Sequence, residues 1–133
     1  MTVAMKRASF AIRLLFAVCL AGATFNHVHA ALAHGLLWDY GYGDGTPLAS
    51  RTYWGALTAL DPLAAILLFA RPRAGIGLTA AIILSDVLHN TYYVAANAQW
   101  TASFYLAQLA FLALVIGLSP VAWRGLPPAP RGA

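Results

Sequence analysis

The stretch FAIRLLFAVCLAGATFNHVHAALA, residues 10–33, decides the fold. It belongs to a longer apolar run in which no Asp, Glu, Lys or Arg occurs between Leu14 and Trp38. A helix that crosses the hydrocarbon core of a bilayer needs about 20 predominantly apolar residues. Because the run is long enough, the sequence predicts a transmembrane helix over residues 10–33.

The composition of the whole chain agrees with that prediction. Hydrophobic residues make up 61% and charged residues 9% of the 133 positions, and the mean hydropathy is +0.70. Soluble domains carry roughly 25% charged residues, so lipid must be the solvent for most of this surface. The net charge is +4, but no basic face with interleaved aromatic residues is present, which argues against binding to nucleic acid. A single cysteine, Cys19, excludes an intrachain disulfide.

Three further apolar segments predict helices over residues 52–70, 75–97 and 102–123, joined by short loops. Two of these segments contain an aspartate, and one central Asp costs only ~3 kcal/mol on membrane insertion. The surrounding Leu, Ile, Ala and Phe offset that cost. The Pro-rich residues 124–133 are typical of a disordered tail. We therefore predict one all-α domain over residues 1–133, a bundle of four transmembrane helices.

The distribution of basic residues predicts the orientation of that bundle. Loops on the cytoplasmic side of a membrane collect Lys and Arg. With four spans, Arg51 alone falls on one side. The other side collects Lys6, Arg7, Arg13, Arg71, Arg73, Arg124 and Arg131. We expect both termini to be cytoplasmic, in an inner cell membrane, with the lipid bilayer, a second copy of the chain or a larger membrane complex as partners.

A cleaved signal peptide is the alternative for the first segment. Lys6 and Arg7 precede an apolar core, and Val28 and Ala30 stand where a signal peptidase requires small residues. The apolar stretch is long and continues beyond that point, which favours an uncleaved helix. Cleavage after Ala30 would leave three helices and remove His27.

Polar residues inside the apolar segments predict an internal pocket. Asp86, His89, Asn90 and Tyr93 follow an i, i+3, i+4, i+7 pattern, which places them on one stripe of a helix. With a rise of about 1.5 Å per residue, the polar groups of all the helices fall within one band of depth. Ionisable side chains avoid lipid and turn toward the interior of a bundle. The sequence predicts a pocket, open to the extracytoplasmic side, formed by Asp61, Asp86, His89, Asn90 and, as a second choice, His27.

Several chemistries fit that cluster. Asp86 and His89 could share a metal ion with His27 and Asp61, or His27 and His89 could ligate haem b. Asp61 could act as an acid toward an apolar substrate, with Asp86 and His89 as the base. Either aspartate could serve proton-coupled transport. A further alternative is an accessory subunit, in which the polar residues only lock the helices together.

The second and third segments also resemble a known family. Asp61 lies in one helix, and the next helix carries Ser85 and His89 with three residues between them. Over Thr52 to Tyr93 this pattern resembles the EXPERA family of emopamil-binding membrane proteins. The resemblance implies a four-helix protein that binds lipids or sterols or isomerises a sterol. The chain lacks the glutamates of that family.

Overall fold

The computed structural model describes residues 1–128, which form four α-helices and contain no strand. The helices are α1 (Val3–His34), α2 (Leu48–Ala70), α3 (Pro72–Ala96) and α4 (Ser103–Arg124). The all-α class and the count of four helices are as predicted. Three helices begin earlier than the sequence predicts, since hydropathy marks only the apolar part of a helix. In α1, for example, the Thr2 hydroxyl accepts a hydrogen bond from the Met5 amide at 3.2 Å and caps the first turn.

Three of the four helices, α1, α2 and α4, are long and apolar enough to cross a membrane. This property indicates a membrane protein. The third helix in the chain, α3, is not among them. It is 25 residues long, and it carries the polar residues Asp86, His89 and Asn90.

The helices form a ring in chain order. Each helix packs against the next one, and α4 returns to pack against α1. Across the ring, α1 and α3 touch only slightly. Because Arg71 alone separates α2 from α3, these two helices must run antiparallel. The arrangement leaves room at the centre of the ring.

The tight connection between α2 and α3 depends on two residues. Pro72 is the first residue of α3, where its fixed φ suits a helix start and its missing N–H would have no helical partner. One turn later, Gly75 lies against the backbone of Leu67 and Leu68, and a Cβ at this position would overlap both residues. The glycine therefore allows the two helices to approach closely.

Two hydrogen bonds tie α1 to its neighbours at one end of the ring. The Arg13 guanidinium donates to the Leu68 carbonyl at 2.7 Å, and the Ser9 hydroxyl donates to the Ala122 carbonyl at 2.6 Å. We call this end the basic end, because it contains Arg13, Arg71, Arg73 and Arg124.

The segment after α4 differs from the predicted tail over its first residues. Arg124 is the last residue of α4, and Leu126 is buried. The Arg73 guanidinium donates a hydrogen bond to the Pro127 carbonyl at 2.6 Å. Residues 125–128 thus pack on the basic end, which apolar content alone does not predict. The remainder of the predicted disordered tail, residues 129–133, lies outside the described residues.

The contact at Gly75 leads to a prediction with a control in the same helix. Gly75→Ala should lower the free energy of unfolding by roughly 1–3 kcal/mol, because the new methyl group forces the two helix backbones apart. A Cβ at Gly77 meets nothing within 4 Å, so Gly77→Ala should be neutral or slightly stabilising, as alanine favours helix. Chemical unfolding in detergent, followed by circular dichroism, measures both. Equal stabilities of the two variants would contradict the packing described at Gly75.

Candidate functional site

A cavity of about 570 Å³ lies inside the ring. All four helices line it, together with the segment between α1 and α2. Much of its wall is apolar, with Leu20, Ile82, Ile83 and Phe111 among the lining residues. The polar part is contributed by Asn26, His27, Tyr40, Tyr42, Trp54, Asp61, Asp86, Asn90, Gln99 and Gln108. The cavity therefore combines an apolar lining with a concentrated group of hydrogen-bonding side chains.

Asn90 is the centre of the hydrogen bonds in this cavity. The Trp54 indole N–H donates to Asn90 Oδ1 at 2.9 Å. The Asn90 amide nitrogen donates to Asp86 Oδ1 at 2.9 Å and to Gln108 Oε1 at 3.1 Å. Since both of its N–H groups and its oxygen are engaged, Asn90 joins α2, α3 and α4 and has no donor left for another partner.

Asp61 lies in the same cavity without such support. Asp61 is 2% exposed, and no hydrogen bond to its carboxylate occurs within residues 1–128. The nearest basic group is His27, whose Nε2 lies 3.7 Å from Asp61 Oδ2. That distance is too long for a hydrogen bond, although it permits an ionic contact. A buried carboxylate thus borders the cavity with its hydrogen-bonding capacity unused.

The segment 35–47, which we call the aromatic strap, crosses the end of the ring opposite the basic end. Tyr40 Oη and His27 Nδ1 form a hydrogen bond at 2.8 Å, and the tautomer of His27 determines which of the two atoms donates. The Tyr42 hydroxyl donates to Gln99 Oε1 at 2.8 Å, and both tyrosine rings pack against Trp54. The strap therefore forms one wall of the cavity.

Tyr40 is held in an uncommon conformation by these contacts. Its φ of 54° lies in the left-handed region, which costs a non-glycine residue roughly 1–2 kcal/mol. Burial raises the pKa of the Tyr40 phenol above its ordinary value, and the carboxylates of Asp86 and Asp61 raise it further. The phenol consequently stays protonated near neutral pH and keeps a hydrogen to donate.

The cavity reaches the surface of the bundle between α1 and α4. Gly22 and Asn26 of α1, with Phe104 and Ala107 of α4, line the cavity and are exposed. At the basic end the same two helices are joined by the hydrogen bond from Ser9. The side opening thus lies between the strap and the basic end, whereas the predicted extracytoplasmic opening is the end that the strap crosses.

The structure separates His89 from the other predicted site residues. His89 does not line the cavity but packs at the α2–α3 interface, with ring centroids 4.6 Å from Tyr53, 5.3 Å from Trp54 and 5.5 Å from Tyr93. Ser85, whose hydroxyl forms a hydrogen bond with the Tyr53 hydroxyl at 2.8 Å, is also outside the lining. The residues that carry the resemblance to EXPERA proteins are therefore divided between two places.

The donor sets considered for metal and haem do not fit this placement. No group of three or more His, Cys, Asp or Glu within residues 1–128 is close enough to hold a metal ion. Ligation of haem b by two histidines requires both side chains to face the same space. His27 lines the cavity and His89 does not, so the pair does not meet this requirement. Four of the five predicted residues, Asp61, Asp86, Asn90 and His27, do line one cavity.

Sequence reasoning missed the residues that the strap brings to the site. Tyr40 and Tyr42 of the strap, with the Trp54 and Gln99 side chains that they contact, are not among the residues that the sequence predicts for the pocket. The signal that marks the strap is the alternation of Tyr and Gly in DYGYG, residues 39–43. Gly41 and Gly43 both have positive φ, which lets the strap bend over the cavity.

Comparison of the chain with protein-family models, with curated proteins and with solved structures found no match.

The Asn90 network leads to a prediction about stability. Asn90→Ala should lower the free energy of unfolding by roughly 1–3 kcal/mol, because Trp54 loses its acceptor while Asp86 and Gln108 lose a donor. Asn97→Ala is the control, since Asn97 is exposed and its side chain bonds only to the Tyr93 carbonyl of the same helix. Thermal unfolding in detergent compares the two variants. A loss for Asn90→Ala no larger than that for Asn97→Ala would contradict the bridging role of Asn90.

Proposed function

We propose that the chain is a multi-pass inner-membrane protein whose internal cavity binds a small lipophilic ligand, with Asp61, Asp86, Asn90 and His27 as the polar contacts. The observation that carries this proposal is the cavity itself, in which a mostly apolar wall surrounds a buried carboxylate that lacks a donor. Its volume of about 570 Å³ lies within the range of roughly 300–1,000 Å³ that small-molecule sites occupy.

The side opening supports a ligand that arrives from lipid. Gly22 and Ala107 are small residues on the two helices that border it. In a bilayer, an opening between two apolar helices faces acyl chains, so a lipophilic molecule can enter without crossing water. A polar ligand, by contrast, would have to pass the aromatic strap.

In this proposal α3 also crosses the membrane, as the fourth transmembrane helix. Its buried positions include polar residues, Thr79, Asp86 and Asn90, while Leu84 and Leu88 are 50% and 66% exposed. A surface helix of a soluble protein also buries an apolar stripe, but it exposes charged and polar residues on its opposite face. Exposed leucines and buried polar groups fit a helix that is surrounded by lipid on one side and by the bundle on the other.

The proposed orientation places the basic end in the cytoplasm and the strap outside. The basic end contains Arg13, Arg71, Arg73 and Arg124. Arg51 lies in the first turn of α2, at the opposite end of the ring. This asymmetry follows the positive-inside rule. The helix α1 runs unbroken through Ala30, the residue that precedes the considered cleavage point.

Cysteine labelling tests this orientation and the fate of the first segment together. In a Cys19→Ala background, Gly45→Cys should react with a membrane-impermeant maleimide on intact cells, because Gly45 is exposed in the strap. Ala4→Cys should react only after the cells are permeabilised, since it precedes the span α1. The reverse pattern would contradict the orientation. Mature protein that lacks the Ala4→Cys label under both conditions would show that the first segment is removed.

A structural role is the second candidate, because the Asn90 network joins three helices. An accessory subunit that uses its polar residues only as a lock needs no ligand. The two functions differ in the role of Asp61. The hydrogen bonds of the Asn90 network do not include Asp61, whereas the proposed ligand site uses it as a polar contact. Saturable binding that depends on the cavity therefore separates them.

Filling the cavity should abolish such binding. We expect 1-adamantanol, a compact lipophilic alcohol, to bind the protein in nanodiscs in a saturable manner, measured by isothermal titration calorimetry. Ala107→Phe should reduce the affinity by roughly tenfold or more, because the ring occupies cavity volume. Ala113→Phe is the control, as Ala113 is exposed on α4 and lies outside the cavity lining. Absence of saturable binding, or equal binding by both variants, would contradict the proposed function.

A further inference from the structure

The charges around the cavity are unequal in sign. Two carboxylates, Asp61 and Asp86, line it, and no Lys or Arg is among the lining residues that the structure describes. Arg13, which points into the bundle from α1, is engaged with the Leu68 carbonyl at the basic end. His27 is the one basic side chain in the lining, and its Nδ1 is engaged with Tyr40. The lining therefore carries two acidic side chains against one basic side chain, His27, whose Nε2 lies 3.7 Å from Asp61 Oδ2.

The hydrogen bonds within the cavity leave Asp61 uncompensated. Asn90 uses both of its N–H groups on Asp86 and Gln108, so it cannot also serve Asp61. The indole of Trp54 donates to Asn90, and the hydroxyl of Tyr42 donates to Gln99. None of these donors bonds to the Asp61 carboxylate, and no other hydrogen bond to it occurs within residues 1–128. A carboxylate at 2% exposure without a donor is costly inside a bundle, and a positively charged partner relieves that cost.

Asp86 is also only partly satisfied. Its Oδ1 accepts the hydrogen bond from Asn90 at 2.9 Å, and Oδ2 receives none from residues 1–128. The aromatic side chains Tyr40, Tyr42 and Trp54 line the same cavity. Aromatic rings attract cations through their π faces, most strongly where water is excluded.

The size of the cavity decides which kind of cation it suits. A bare metal ion requires several ligand atoms around it, and no suitable group of three His, Cys, Asp or Glu occurs in the described residues. A volume of about 570 Å³ with a largely apolar wall leaves most of the space to carbon atoms. An amine that carries a hydrocarbon body fills both parts of the cavity at once.

We propose that the cavity binds a lipophilic organic ammonium ion, with the N–H groups donated to the Asp61 carboxylate and the hydrocarbon body against the apolar wall. Asp86 adds negative potential, and the rings of the strap and Trp54 surround the positive charge. The ligand enters from the bilayer between α1 and α4. This inference rests on the proposed function and specifies the chemical class of its ligand.

Three probes that share the adamantane cage test the sign of the charge. 1-Adamantylamine is protonated near neutral pH, 1-adamantanol is neutral and adamantane-1-carboxylate is anionic, while the hydrocarbon body is identical. With the protein in nanodiscs of zwitterionic lipid, calorimetry should give an affinity for the amine roughly tenfold or more above that for the alcohol. The carboxylate should bind more weakly than the alcohol. Equal affinities for the amine and the alcohol would overturn the inference.

Variants of Asp61 connect that preference to one side chain. Asp61→Asn should remove most of the preference for the amine, so that the ratio of its affinity to that of 1-adamantanol falls toward one. Asp44→Asn removes the same charge from an exposed position of the strap and should alter neither affinity. Asp61→Glu, which keeps the carboxylate, should retain a preference for the amine. If Asp61→Asn does not fold, as judged by circular dichroism, Asp86→Asn provides the second test and should reduce the preference in part.

The outcomes distinguish this inference from the proposed function. If the alcohol binds in the cavity and is excluded by Ala107→Phe, while the amine has no advantage, the ligand pocket stands and the cation inference fails. If no probe binds in a saturable manner, both fail. A preference for the amine that survives both Asp61→Asn and Asp86→Asn would place the positive charge elsewhere and would also overturn the inference.

Discussion

The hydrogen bonds of Asn90 are the interaction on which the rest of the structure depends. Polar groups within an apolar bundle have no bulk water to bond with and must find partners among other side chains. Asn90 provides them for Trp54 of α2, Asp86 of its own helix and Gln108 of α4. Together with the apolar packing and the other hydrogen bonds between helices, these bonds fix the rotation of α2, α3 and α4 about their axes and so determine which side chains reach the centre of the ring.

The same network explains why the cavity has an unused acid. With Asn90 saturated, Asp61 accepts no hydrogen bond within residues 1–128, and His27 Nε2 lies 3.7 Å from its Oδ2. The strap then encloses both residues through Tyr40, which adopts a left-handed conformation that an isolated segment would avoid. Asp61 and the left-handed Tyr40 both line the cavity. Their position beside one cavity is the physical basis of the proposed ligand site.

The sequence predicts the helices well, because long apolar runs leave few alternatives. It also predicts that Asp86 and Asn90 face inward together, since one turn of helix separates them and both avoid lipid. His89 shows the limit of that reasoning. It lies three residues from Asp86 and is rotated to one side, where packing against Tyr53 determines its place. The strap lies beyond sequence reasoning for another reason: glycine-rich loops carry no periodicity, so their path depends on the surface they cover.

Native mass spectrometry of the protein released gently from its own membrane tests the central claim most directly. The account predicts that the wild-type chain retains a small amine whose mass is added to that of the protein, and that Ala107→Phe, with its filled cavity, emerges without it. Wild-type protein and Ala107→Phe that both appear at the bare mass of the chain, or that both retain the same molecule, would contradict a ligand site inside the ring.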